Sequence, residues 1–281
     1  MHVKKIIIMA IFSIPLMVAA QDNKAKDRKE KAAERKERVN LLIKQEEEGA
    51  LIFQKQSTFG INLNSDGFGF TYEHGKYKTI TKTNLWWLSL GERKDPKQYR
   101  QSNTFTSSGG GGVGIVFFGN SYVYGKQNNF YFLRAGFGQQ KTIGGKGNKN
   151  GVAVSGIYGG GLTLGMLKPY YVQITDNSAQ GNGTKDIKYS DSTAKVFLDP
   201  TAIIGGSGFG KGIGEMKFVP GVSVRAALRF DYGKYNETIS ALEVGINAEY
   251  FSQAMPILVG VNDTKKFFFN GYITVNFGRR K

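Results

Sequence analysis

Most of the residues that could do chemistry in this chain lack a partner to do it with. A Ser–His dyad or triad needs an imidazole beside its nucleophile, and the only histidines are His2 and His74. His74 stands at an apolar-face position near the end of a candidate strand, where it reads as a girdle residue rather than a base. The absence of cysteine removes thiolate nucleophiles, disulfide frameworks, Cys-type zinc sites and lipid attachment at an N-terminal cysteine. The glycine-rich strings 109–112 and 205–210 have neither the Gly-Lys-Ser/Thr ending nor the βα setting of a phosphate loop. They read as flexible loops, the second with room for a short lid or plug. What remains is a set of charges at alternating positions: Glu73, Arg134, Arg225, Arg229, Asp231, Glu243 and Glu249. Carboxylates such as Asp231, Glu243 and Glu249 can serve acid–base catalysis, but three arginines on the same face account for them without it. No enzyme, metal or cofactor is expected.

Those charges acquire a common face only if the segments carrying them are strands. From Ser57 onward apolar residues recur with period two: Phe68, Phe70 and Tyr72 alternate with Gly69, Thr71 and Glu73, and Leu133 and Ala135 flank Arg134. Val224, Leu228 and Phe230 interleave with Arg225, Arg229 and Asp231, as Val244 and Ile246 do with Glu243 and Glu249. The clearest segment is Val152 to Met166, with Ile157 its single exception. Alternating segments of about ten residues or more are the signature of a transmembrane barrel, whereas soluble sandwich strands centre on about 5–6. Glycine at 38 and aromatics at 13% of 281 residues suit such a sheet and argue against disorder.

The expected fold is therefore all-β, an antiparallel up-and-down barrel of ten strands over residues 57–277, with eight or twelve as one-hairpin alternatives. Besides the segments above, strands are expected at Thr79–Gly91, Val113–Tyr124, Asn129–Lys141, Tyr170–Ile174, Val219–Tyr232, Ile239–Phe251 and Lys265–Phe277. Asp66-Gly67 is a hairpin signal. Links 75–78, 125–128, 167–169 and 233–236 would then lie on one side with both termini. Links 92–112, 142–150, 177–217 and 252–264 would lie on the other. The seven charges project into the lumen, as a salt-bridge plug or as the lining of a water-filled pore. Trp86, Trp87, Tyr158, Tyr232 and Tyr250 are expected at the membrane interface.

Compartment follows from the N-terminus. Lys4 and Lys5, the apolar run to Ala20 and the small residues Val18-Ala19-Ala20 form a secretory signal peptide over 1–20. Residues 21–56 carry charges of both signs with i,i+4 pairs such as Lys26 with Glu30 and Glu34 with Arg38. They read as a periplasmic helix and linker, either a solvated spacer or a docking element for an envelope protein. Without the leader the chain keeps 36 basic against 22 acidic residues, a charge of +14. In an exported protein that excess points to anionic lipid or lipopolysaccharide phosphates rather than nucleic acid. The carriers expected in or beside outer loops are Lys141, Lys146, Lys149, Lys185, Lys188, Lys195, Lys211 and Lys217, with a basic tail at 278–281.

The last strand carries Phe269, Ile273, Val275 and Phe277 in alternation, which resembles the aromatic-ended signal read by outer-membrane insertion machinery, except that four residues follow Phe277. The runs Tyr122–Tyr131 and Gly159–Tyr171 are similar to strands and turns of the small outer-membrane β-barrel proteins of the Bacteroidota, a resemblance covering residues 57–277. That resemblance implies a Gram-negative outer membrane, insertion machinery as a transient partner, and a structural or accessory role, with a small porin as the alternative.

Overall fold

The computed structural model describes residues 53–108, 114–146, 151–176, 183–233, 237–261 and 264–281, with Lys31, Ala33, Glu34 and Glu37. Those four are helical and exposed. The expected leader and the rest of the charged helix lie outside the described residues.

Eight strands close into a barrel: β1 (Lys55–Asn64), β2 (Gly67–Tyr77), β3 (Lys82–Arg93), β4 (Asn128–Gly144), β5 (Ala153–Pro169), β6 (Lys217–Asp231), β7 (Thr238–Phe251) and β8 (Phe267–Arg280). Each pairs antiparallel with the next, and β1 closes on β8 from Gln56↔Arg280 to Asn64↔Tyr272. Alternation decides the faces as expected. In β3, Thr83, Leu85, Trp87 and Ser89 are buried while Asn84, Trp86, Leu88 and Leu90 are exposed. Ile157, out of phase in the sequence, is a lumen residue packed with Leu85, Trp87, Ala227 and Tyr272.

The count of ten is corrected to eight. The segments expected at Val113–Tyr124 and Tyr170–Ile174 are strands of separate small sheets. Residues 122–123 pair with 100–101, 114–118 with 104–108, and 171–176 with both 183–188 and 203–206. Their alternation serves a core of their own, Tyr122, Val172, Ile187, Phe197 and Ile203, which a two-residue period cannot distinguish from a barrel wall. Losing those two strands moves the links. Residues 65–66, 94–127, 170–216 and 252–266 lie at one rim, here the loop rim. Residues 78–81, 145–152 and 232–237 lie at the other, the terminal rim, beside both strand termini. The link at 142–150 thus falls on the side opposite to that expected, and residues 125–128 and 167–169 are not turns between neighbouring staves.

Three local expectations also change. The tight hairpin turns on Ser65 and Asp66, with Gly67 already paired in β2. Gly67 is needed because a Cβ there would strike the Glu92 carbonyl of β3. Gly205 and Gly206 belong to a strand against Asn120 and Ser121 rather than to a flexible lid. The basic tail continues β8 through Arg280 and is bonded to the chain's first stave, since Gln54 and Lys55 donate their N–H groups to the Lys281 carbonyl at 2.8 and 2.7 Å.

Candidate functional site

The lumen gathers all seven charges expected there, and the alternation that puts them inside does so from four different strands, β2, β4, β6 and β7. Glu73, Arg134, Arg229, Asp231, Glu243 and Glu249 are buried, and Arg225 keeps 8% of its side chain exposed. They are interlocked in tiers. At the centre Arg229 bridges Glu73 and Glu243, with Nε donating to Glu243 Oε2 at 2.9 Å. Arg225 meets Glu73 Oε1 at 2.6 Å, and Tyr272 donates its hydroxyl to Glu243 Oε1 at 2.6 Å. Toward the loop rim Glu249 pairs with Arg134 and, at 2.9 Å, with Arg93, whose Nε also meets Asp66 at 2.8 Å. At the terminal rim Asp231 pairs with Arg280 and lies 3.7 Å from the Lys146 amine. Five arginines therefore face five carboxylates. An isolated ion buried there would cost several kcal/mol, and the pairing offsets that cost.

The sequence reading missed Arg93, Asp66, Tyr272, Lys146 and Arg280. Arg93 shares the odd phase of Trp87 and Ser89, so extending β3 by two residues would have found it. Tyr272 shares the phase of Asn270 and Thr274, which the apolar residues between them obscured.

Trp87, expected at the membrane interface, is instead a lumen residue, 3% exposed, with Arg225 stacked 3.8 Å from its ring centroid. The indole fits because glycines floor the neighbouring staves. A Cβ at Gly136, Gly138 or Gly159 would lie 2.5, 3.0 or 2.7 Å from its ring. Trp86, Tyr158, Tyr232 and Tyr250 do stand exposed on the outer side. Phe269, Ile273, Val275 and Phe277 share the outward face of β8.

Space inside is nearly exhausted. The central polar cavity, lined by groups including Glu73, Arg134, Arg225, Glu243 and Tyr272, holds about 20 Å³, roughly enough for one water. Near the loop rim Phe130, Phe132, Phe251 and Phe268 pack with Met255 and Ile257, which the 252–266 link folds over the mouth. Beyond them Lys126 is buried, donating to Gln98 Oε1 at 3.3 Å with its amine 5.5 Å from the Tyr170 ring centroid. Burial pushes its pKa down to about 8.

The basic excess is also redistributed. Lys188 pairs with Glu215, and Lys211 with Asp186 at 2.9 Å, so both are locally neutralised. Bonds from Lys188 and Tyr171 hold the Glu215 carboxyl below its usual range. Lys141 and Lys146, expected in an outer loop, are at the terminal rim. Lys149 lies outside the described residues.

One catalytic-looking contact appears on the outer wall, where Ser57 Oγ lies 3.0 Å from His74 Nδ1. The pair sits directly across the β1–β2 ladder, with Trp86 5.7 Å from the imidazole centroid. Among the described residues no carboxylate orients the imidazole. The strand N–H groups that would supply an oxyanion hole are spent in the ladder.

No protein-family model and no curated protein matches the chain. Among solved structures it is similar to Ail, the attachment invasion locus protein of Yersinia pestis (10% identity, 82% of this chain and 100% of that one, TM-score 0.32). Neisserial surface protein A shows 10% identity over 82% and 97% (TM-score 0.35), and the N-terminal β-barrel domain of Pseudomonas aeruginosa OprF 12% over 80% and 96% (TM-score 0.29). The eight-stave closure rests on the register of the chain's own strands.

Proposed function

We propose that this chain is an integral outer-membrane β-barrel with a sealed lumen, acting without catalysis as a structural or accessory component of the envelope. The observation that carries the reading is the inversion of the barrel: mutually paired charges inside, exposed large apolar side chains outside. Phe137 and Leu162 are 76% and 71% exposed, and rows of such residues cover all eight staves. In water a patch of that extent would be an aggregation liability. In lipid it is solvated, and a closed ladder leaves no unpaired strand edge. A polar cavity of about 20 Å³ supports a seal over a small porin.

In this reading Phe269, Ile273, Val275 and Phe277 present the outward face that insertion machinery would recognise. The terminal rim faces the periplasm and the layer at the loop rim faces outward; residues 21–48 and that layer are the docking elements for envelope partners. Planar-bilayer recording of the purified protein tests the seal: no steady conductance is expected, and persistent open channels would overturn it. Affinity capture from membranes with and without residues 21–48 tests docking, which fails if the recovered partners are unchanged.

A further inference from the structure

The outer wall is interrupted near the terminal rim by a notch of about 610 Å³, bordered by Lys141, Ile143, Tyr158, Leu228, Val244 and Ile246 among others. It exists because two outward positions are small. Gly156 and Ala226 stand where their cross-strand neighbours, Leu228 beside Gly156 and Tyr158 beside Ala226, are large. The volume falls in the range of small-molecule sites, and the lining is apolar except at one side. There Lys141 is the register partner of Gly156, and Lys82 is the register partner of Lys141, so one cross-strand row reads Lys82, Lys141, Gly156, Leu228, Val244. Both lysines are exposed, and among the described residues neither has a carboxylate partner. Like charges directly opposite on one sheet face repel, and an anion seated between them removes that cost. Lys55 and Lys76 form another opposed pair at the same rim, but the notch does not reach them.

Resting on the membrane reading above, we propose that this notch holds an acyl chain of an anionic glycerophospholipid from the leaflet at the terminal rim, its phosphate bound between Lys82 and Lys141. The small outward residues provide the chain's bed, and the two amines select against zwitterionic head groups. Lipid A carries phosphate as well, but in the proposed orientation it would occupy the leaflet at the other rim.

The test uses full-length protein reconstituted in phosphatidylcholine vesicles containing a minor fraction of phosphatidylglycerol, extracted in mild detergent, with retained lipid quantified by mass spectrometry. Wild type is expected to retain phosphatidylglycerol preferentially. Lys82→Gln with Lys141→Gln should lower that retention by about fivefold per lysine. Gly156→Leu should lose it with both amines intact. A Cβ at Gly156 meets only Ile143 Cδ1, at 3.5 Å, so the variant fills the notch without disturbing the barrel. Lys55→Gln with Lys76→Gln should retain lipid as wild type does. Equal retention in all four proteins overturns the site, as does equal loss in the two lysine pairs or preference for added lipid A over phosphatidylglycerol. Flotation separates the two readings: protein that fails to float with vesicles overturns the membrane assignment itself, whereas floating protein with unselective lipid retention overturns only the site.

Discussion

The lumen and the outer wall are made from the same eight strands, one residue out of phase, yet they satisfy their side chains in opposite ways. Inside, the arginines and carboxylates find one another across the barrel, as Arg229 does Glu73 and Glu243. Outside, Leu162 and Phe137 project from the ladder largely uncovered by the chain. The difference teaches that the inner face is specified by the chain and the outer face by its solvent. Substitutions should therefore report on fold inside and on environment outside.

The sharpest way to break that contrast is Glu243→Ala. It removes one of the two carboxylates that Arg229 bridges and leaves the Tyr272 hydroxyl without its acceptor, at an expected cost of about 3 kcal/mol. Urea unfolding of the refolded protein in lipid measures it, and a loss under 1 kcal/mol would contradict an interlocked lumen. Next is Leu162→Arg on the wall, expected to cost roughly 2–4 kcal/mol in bilayers if the position is near the midplane. The same change should cost little in a polar environment that hydrates the guanidinium, so comparing the two media isolates the solvent's share. Two glycines of β5 then sharpen the comparison within one strand. Gly159→Ala drives a methyl against the Trp87 ring and should cost about 1–3 kcal/mol, whereas Gly156→Ala on the outer face should be near neutral. Equal effects would mean that the inner packing is looser than the Trp87 contact requires.

The last contrast concerns a buried cation beyond the barrel. Unlike the lumen arginines, Lys126 has an amide and a ring for company, and burial holds its pKa at about 8. The folded state then binds fewer protons than the unfolded state between about pH 8 and the ordinary lysine value. Stability should rise with pH across that window and be flat with respect to this group below it. Lys126→Met should remove that rise, seen as a difference between the two unfolding curves.

Most of this inversion was legible because a two-residue period is local. Glu73, Arg134, Arg225, Arg229, Glu243 and Glu249 needed only their apolar neighbours to be placed inside. What local pattern could not supply was membership. Val172 and Ile174 alternate as well as any stave, but their strand pairs with 183–188 and 203–206, a choice made by contacts distant in sequence. Trp87 failed for a related reason: beside Trp86 it looked like half of a girdle, and the glycines that make room for it, Gly136, Gly138 and Gly159, lie on β4 and β5. The notch was equally hidden, because Lys82, Lys141 and Gly156 become neighbours only once three strands are in register.

The seam between β1 and β8 has a kinetic consequence. Lys281, just beyond β8, accepts hydrogen bonds from Gln54 and Lys55, so the ring joins the two extremes of the stave-forming segment. No stretch of growing polypeptide can complete it, and pairing so remote in sequence is intrinsically slow. Until Arg280 has emerged, β1 has an open edge, the kind of surface that invites pairing with the wrong chain. A premature stop within β8 should therefore do more than shorten one strand: it would leave every molecule with two unsealed edges, and self-association would compete with insertion.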